Sequence, residues 1–270
     1  MSIFEAIVYG VIQGFTEFLP ISSTAHLVLL PWFMGWKDPG LAFDVAIHLG
    51  TLIALFIYFR ADWYALITSS FGIVRGRTHS PDAKMAMMIV VATIPAGVAG
   101  VLFEDIVENA LRTPAIIGFM LIALALLLVA AEFLGHRKKS LDEITWTDAI
   151  GIGVAQACAL IPGVSRSGST ITAGLFFNLK REAAARFSFY LSGPIIAAAV
   201  AKKLYDILKA GVDPQLMVPI IVGIITSGIV GYLSIAFLMR YLQTHNTYLF
   251  VVYRILLGIV VLVAFWSGFR

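Results

Sequence analysis

Two apolar stretches, each long enough to reach across a bilayer, are broken in the middle. Ile3–Leu30 is interrupted by Glu17, Pro20 and the run Ser22-Ser23-Thr24. Ala149–Leu179 is interrupted by Pro162, Gly163 and the run Ser165-Arg166-Ser167-Gly168-Ser169-Thr170. In lipid every backbone polar group needs a partner, so a broken helix survives at membrane depth only against protein or a watery cavity. Both stretches therefore read as re-entrant helix–loop–helix hairpins.

The rest of the chain supplies the lipid-facing frame. Of its 270 residues 60% are hydrophobic and 13% charged, against roughly 45–50% and about 25% in soluble domains. A spanning helix needs ~20 apolar residues. Six segments qualify: Leu41–Phe59, Met85–Phe103, Pro114–Phe133, Phe187–Ala201, Leu216–Met239 and Thr247–Trp266. The fourth is short and holds Ser192 and Pro194. The expected fold is an all-α polytopic membrane protein, a single integral-membrane domain over 1–270. The basic balance, +3 with a pI near 9.0, orients loops in such a protein rather than marking nucleic-acid binding. One cysteine, Cys158, allows no intrachain disulfide and suggests no zinc cluster. Glu5 and the lack of any basic residue before Lys37 argue against a cleaved signal peptide.

The two broken stretches also resemble each other. Gln13 aligns with Gln156 at a spacing of 143, and Pro20 falls near Pro162. Downstream, AFDVAIHLGTLIA aligns with RFSFYLSGPIIAA, AGVAGVLF with SGIVGYLS, and the last span of the first half with Thr247–Trp266. We read an internal duplication of roughly 1–140 and 141–270. Each half holds one hairpin and three spans. Three is odd, so the second half enters the membrane upside down, an inverted repeat with its site near the midplane between halves. Basic residues after the first span (Arg60, Arg75, Arg77, Lys84) and after the third (Arg137, Lys138, Lys139) place those loops in the cytoplasm. The loop between, with Glu104, Asp105 and Glu108, lies outside. Lys202, Lys203 and Lys209 then fall outside too, against the rule.

The chemistry sits in the breaks. A charge at the centre of a membrane helix costs ~2.5–3.5 kcal/mol on insertion scales, and Glu17 and Arg166 both carry that cost. Gln13 lies one helical turn before Glu17, and together they offer oxygens to one hard cation. Ser22, Ser23 and Thr24 are either helix caps or, with backbone amides, an anion cradle at a helix N-terminus. His26 adds a group titrating near neutral pH. Arg166 either snorkels to the interface or grips an oxyanion with its planar fork, helped by Ser165, Ser167, Gly168 and Thr170. A carboxylate, an imidazole, a guanidinium and hydroxyls at membrane depth suit a phosphate ester at a lipid head group. Walker A, HExxH and GxSxG motifs are absent.

GVIQGFTEFLPISSTAHL and PGVSRSGSTIT resemble the two signatures of the undecaprenyl-diphosphatase family, also called the bacitracin-resistance family. The resemblance runs over essentially the whole chain. It implies a phosphatase in the bacterial inner membrane. Such an enzyme removes the terminal phosphate of a polyprenyl diphosphate lipid, with a divalent cation (Mg²⁺ or Ca²⁺), and recycles a cell-wall carrier. It implies a metal at Glu17 and Gln13, catalytic Glu17, Ser23, His26 and Arg166, and a part for Thr170; the hydroxyls and amides of Ser22, Thr24, Ser165, Ser167, Gly168 and Thr170 are then the expected substrate contacts. The attacking group is Ser23 with His26 as base, or a water activated by His26 or Glu17. Gln13 is the neutral variant of a position that is Glu or Gln, and His48 stands where a neutral polar residue is expected. A lipid-phosphate transporter or flippase is the rival reading, because broken helices in inverted repeats also build transporters. With the assigned orientation the site opens towards the periplasm. Assembly is open, a homodimer being one candidate.

Overall fold

The computed structural model describes residues 1–74, 80–103, 106, 110–210 and 214–269. Among these it is built from eleven α-helices, with no strand beyond one isolated bridge between Lys139 and Leu179. The expected loop charges Arg75, Arg77, Glu104, Asp105 and Glu108 lie outside the described residues.

The first break separates α1 (Ile3–Phe18) from α2 (Ser23–Met34). The helices have 16 and 12 residues, about 24 and 18 Å at 1.5 Å per residue. Neither reaches across a hydrocarbon core of roughly 30 Å. Next come α3 (Leu41–Tyr58), α4 (Arg60–Val74), α5 (Pro81–Leu102) and α6 (Pro114–Leu134). The second break separates α7 (Trp146–Cys158) from α8 (Arg166–Phe176), of 13 and 11 residues. The chain ends with α9 (Arg181–Ala210), α10 (Met217–Thr244) and α11 (Tyr248–Trp266). Helices α5, α6, α9, α10 and α11 are each long and apolar enough to cross a membrane, and α3 with α4 passes as a pair bent by 85°. The chain is a multi-pass helical membrane protein.

Two boundaries differ from the sequence expectation. The segment after the first span continues as α4, whose Trp63 packs on Phe56 and Tyr190. The fourth span is a 30-residue helix rather than Phe187–Ala201. Its polar first turns are held by partners far away in sequence. Arg181 donates to Glu132 at 2.7–3.1 Å, and Arg186 grips Asp62 at 2.8 and 2.9 Å. Hydropathy sees only the apolar middle of such a helix.

Packing seats the first helix of each hairpin against a helix distant in sequence. Helix α1 lies along α10, α7 lies along α5, and α6 pairs with α11. The α1–α10 approach depends on Gly14, where a Cβ would stand 2.7 Å from the Ser227 carbonyl. Small residues bring membrane helices this close. Both breaks end in the same way. Ser22 and Ser165 each sit at φ 75° and each accept a hydrogen bond from the amide three residues on, Ala25 and Gly168. A left-handed backbone costs a non-glycine residue on the order of 1 kcal/mol or more, and the capping bond offsets part of it.

Candidate active site

The first residues of helices α2 and α8 line one cavity of about 720 Å³. Its polar wall includes Glu17, Ser23, Thr24, His48, Ser165 and Arg166. Its apolar wall comes from Leu160, Ile195, Ile196 and Val200. Two helix N-termini, with their partial positive charge, therefore face one space, an arrangement that favours an anion.

Glu17 is the hub. It stands on the last turn of α1, and its side chain is 6% exposed. Oε2 accepts from Ser23 Oγ at 2.6 Å and from Gln13 Nε2 at 3.1 Å. Oε1 accepts from Arg166 Nη2 at 3.0 Å. The same nitrogen reaches the Glu17 carbonyl at 3.4 Å, and Nη1 reaches the Ser188 carbonyl of α9 at the same distance. A second thread joins the hairpins, from Ser167 Oγ to the Leu19 carbonyl at 2.9 Å. His48, on α3, donates from Nδ1 to the Asp44 carbonyl at 2.7 Å. Its Nε2 is left 3.9 Å from Glu17 Oε2. Phe18, next to Glu17, packs edge-on against Phe189 of α9.

Residues 6–260 match the family model described as "Bacitracin resistance protein BacA". The chain belongs to the BacA family. Its relatives include three proteins named undecaprenyl-diphosphatase. One, from Chlorobium limicola, is 49% identical over 280 residues, covering 99% of this chain and 98% of the relative. Another, from Chlorobium chlorochromatii, is 47% identical over 97% of this chain and 96% of the relative. A third, from Moorella thermoacetica, is 46% identical over 98% and 99%.

In this BacA-family chain the expected site residues separate into two groups. Glu17, Gln13, Ser23 and Arg166 meet directly, and Thr24 and Ser165 border the same cavity. The others stand behind it. Ser22 caps α2. The Gly168 amide is taken by Ser165 Oγ at 3.1 Å. Thr170 bonds Ser188 Oγ at 2.6 Å and the Arg166 carbonyl at 2.8 Å, bracing Arg166 from below. His26 turns away from Ser23. Its Nδ1 donates to the Ser22 carbonyl at 2.7 Å, so in the neutral ring Nε2 accepts from the Tyr253 hydroxyl, at 2.6 Å. Three participants escaped the sequence reading. His48 was noted without a role, and Ser188 carried no signal. Arg254 was visible as the one charge in the last span.

A metal was expected at Glu17 and Gln13. No cluster of three His, Cys, Asp or Glu exists among the described residues. The donor set nonetheless suits a shared ion. Gln13 Oε1 is buried without a partner beside the Glu17 carboxylate, and Mg²⁺ commonly takes one or two protein ligands plus substrate phosphates.

Proposed function

We propose that this chain hydrolyses a polyprenyl diphosphate, undecaprenyl diphosphate in the first instance, to the monophosphate and inorganic phosphate. The observation that carries this reading is the continuous contact Ser23–Glu17–Arg166, formed where two helix N-termini meet an apolar-walled cavity. Names of relatives at 46–49% identity over nearly the full chain support it.

The parts then take distinct roles. The isoprenoid chain lies along Leu160, Ile195, Ile196 and Val200, and the diphosphate enters between the helix N-termini. Arg166 exchanges its bond to Glu17 for bonds to phosphate oxygens, a geometry suited to guanidinium. Glu17 is thereby released to act as a base. Ser23 Oγ attacks the terminal phosphorus while its proton passes to Glu17 Oε2. The bridging P–O bond breaks, and the lipid monophosphate leaves. Water then cleaves the phosphoserine, releasing phosphate and restoring the hydroxyl. Glu17, rather than His26, is the base within reach of Ser23. His26 holds the Ser22 turn. Glu17 and Gln13 would hold a divalent cation with phosphate oxygens, and bound there it would neutralise charge on the transferred group.

The test is phosphate release by purified protein in detergent from a polyprenyl diphosphate. Release of phosphate with appearance of the monophosphate is expected. Movement of intact lipid across a vesicle bilayer with no phosphate released would replace this reading with the transporter one.

We also read residues 1–140 and 141–270 as inverted repeats in an inner-membrane protein whose cavity opens to the periplasm. Supporting this are the matched turns at Ser22 and Ser165, 143 positions apart, and the exchanged pairings of α1 with α10 and α7 with α5.

A further inference from the structure

Helix α11 carries one charge, Arg254, and buries it completely. No carboxylate meets it among the described residues. An unpaired cation at membrane depth is costly, so its donors need other acceptors. Five main-chain carbonyls provide them. Nε donates to Leu121 O at 3.1 Å and Nη1 to Pro20 O at 3.1 Å. Nη2 donates to Gly163 O at 2.8 Å, with longer bonds to Val164 O at 3.3 Å and Met120 O at 3.4 Å. These carbonyls belong to three separate pieces of chain. Pro20 is the first hairpin's break, Gly163 and Val164 are the second's, and Met120 and Leu121 are mid-α6.

The arrangement meets two needs together. Carbonyls in a break lie outside the helical ladder and need donors when no water reaches them. A guanidinium has five N–H groups in a rigid plane, enough to serve all three pieces. Pro20 lies three residues from both Glu17 and Ser23. Val164 lies two residues before Arg166. The backbone held by Arg254 is therefore the backbone from which the reacting side chains project.

We infer that Arg254 is a positioning residue: a single buried guanidinium fixes the distance between the two hairpin breaks, and with it the placement of Arg166 against Glu17 and Ser23. This rests on the phosphatase reading above. Displacement of about 1 Å at a reacting centre can cost on the order of a hundredfold in rate. Arg254→Lys keeps the charge, but a single ammonium cannot reach three pieces of chain.

The experiment is a double-mutant cycle on phosphate release from polyprenyl diphosphate. It compares wild type, Arg254→Lys, Arg166→Lys and the double variant, each normalised to the folded, monodisperse fraction. Arg254→Lys is expected to lower kcat/KM about 10- to 100-fold. Once Arg166 has lost its fork its placement matters little, so in the Arg166→Lys background the further loss should be under about threefold, the coupling expected of residues acting as a unit. Equal losses in both backgrounds would mean a general structural role and overturn the inference. So would near-normal turnover in folded Arg254→Lys. If that variant does not fold, Gly163→Ala decides. Gly163 sits at φ +96°, where a Cβ would stand 2.7 Å from the Ile117 carbonyl. The substitution thus shifts the second break off an intact Arg254. A loss of tenfold or more in folded protein supports the inference, and normal kcat/KM overturns it. Wild type releasing no phosphate would refute the phosphatase reading itself.

Discussion

Glu17→Gln separates a base from a mere counter-ion. The substitution preserves volume and removes one charge. The carboxylate accepts from three donors, Arg166 on Oε1 and both Ser23 and Gln13 on Oε2. A carboxamide has one accepting oxygen. Turned one way its NH₂ group faces Arg166; turned the other it faces Ser23 and Gln13. The first sets donor against donor, the second makes Ser23 Oγ an acceptor and requires Gln13 to turn its amide oxygen inward, and neither can take the Ser23 proton. Loss of a positioned general base costs about 10²- to 10⁴-fold, which is about 2.7–5.4 kcal/mol of barrier at 1.36 kcal/mol per tenfold. Binding responds differently. Arg166 loses the anion that competes with phosphate for its Nη2, so KM should stay level or fall when divalent cation is saturating. Initial rates of phosphate release, on protein matched to wild type in elution and melting temperature, give both parameters. A kcat within about threefold of wild type would refute the base assignment. If KM also fell, Glu17 would be a counter-ion that holds Arg166 until substrate arrives.

Arg166→Lys should lower kcat/KM about 10²- to 10³-fold, the loss typical of one oriented donor at a developing charge. Near-normal turnover would show that the second hairpin supplies only diffuse charge. Ser23→Ala should cost at least about a hundredfold in kcat, and acid quenching of wild type turning over terminal-phosphate-labelled substrate should trap label on Ser23. A Ser23→Ala variant with wild-type rate would move the mechanism to activated water. Exhaustive chelation should lower turnover more than about tenfold, with recovery on adding Mg²⁺ or Ca²⁺; full activity in chelator would remove the metal from the scheme.

What was legible in the sequence follows from whether the signal is local. Each hairpin break carries its own mark in proline, glycine and hydroxyl residues, so both appear in the structure where expected, with Ser22 and Ser165 as caps. The ends of α9 are different. Arg181 and Arg186 are charges in its first turns, held by Glu132 and Asp62 from 49 and 124 positions away, and no window of sequence holds both partners. His26 failed for the same reason. Three positions along a helix put it near Ser23, yet its ring meets Tyr253, 227 positions on, leaving Ser23 to Glu17.

Arg254 and Arg166 show what the cost of a membrane charge does and does not reveal. The argument that singled out Glu17 and Arg166 applies equally to an arginine in YLFVVYRILLGIVVLVAFW, although no run of serine, threonine and glycine surrounds it. The cost says that a partner exists and is silent on its kind. Arg166 is held by a carboxylate beside an open cavity, so an entering phosphate can displace that partner without moving the backbone. Arg254 is held by carbonyls of three chain segments and has no exposed surface. It cannot change partners unless the breaks themselves move. On the proposed mechanism one arginine exchanges anions, while the other keeps in place the frame within which that exchange happens.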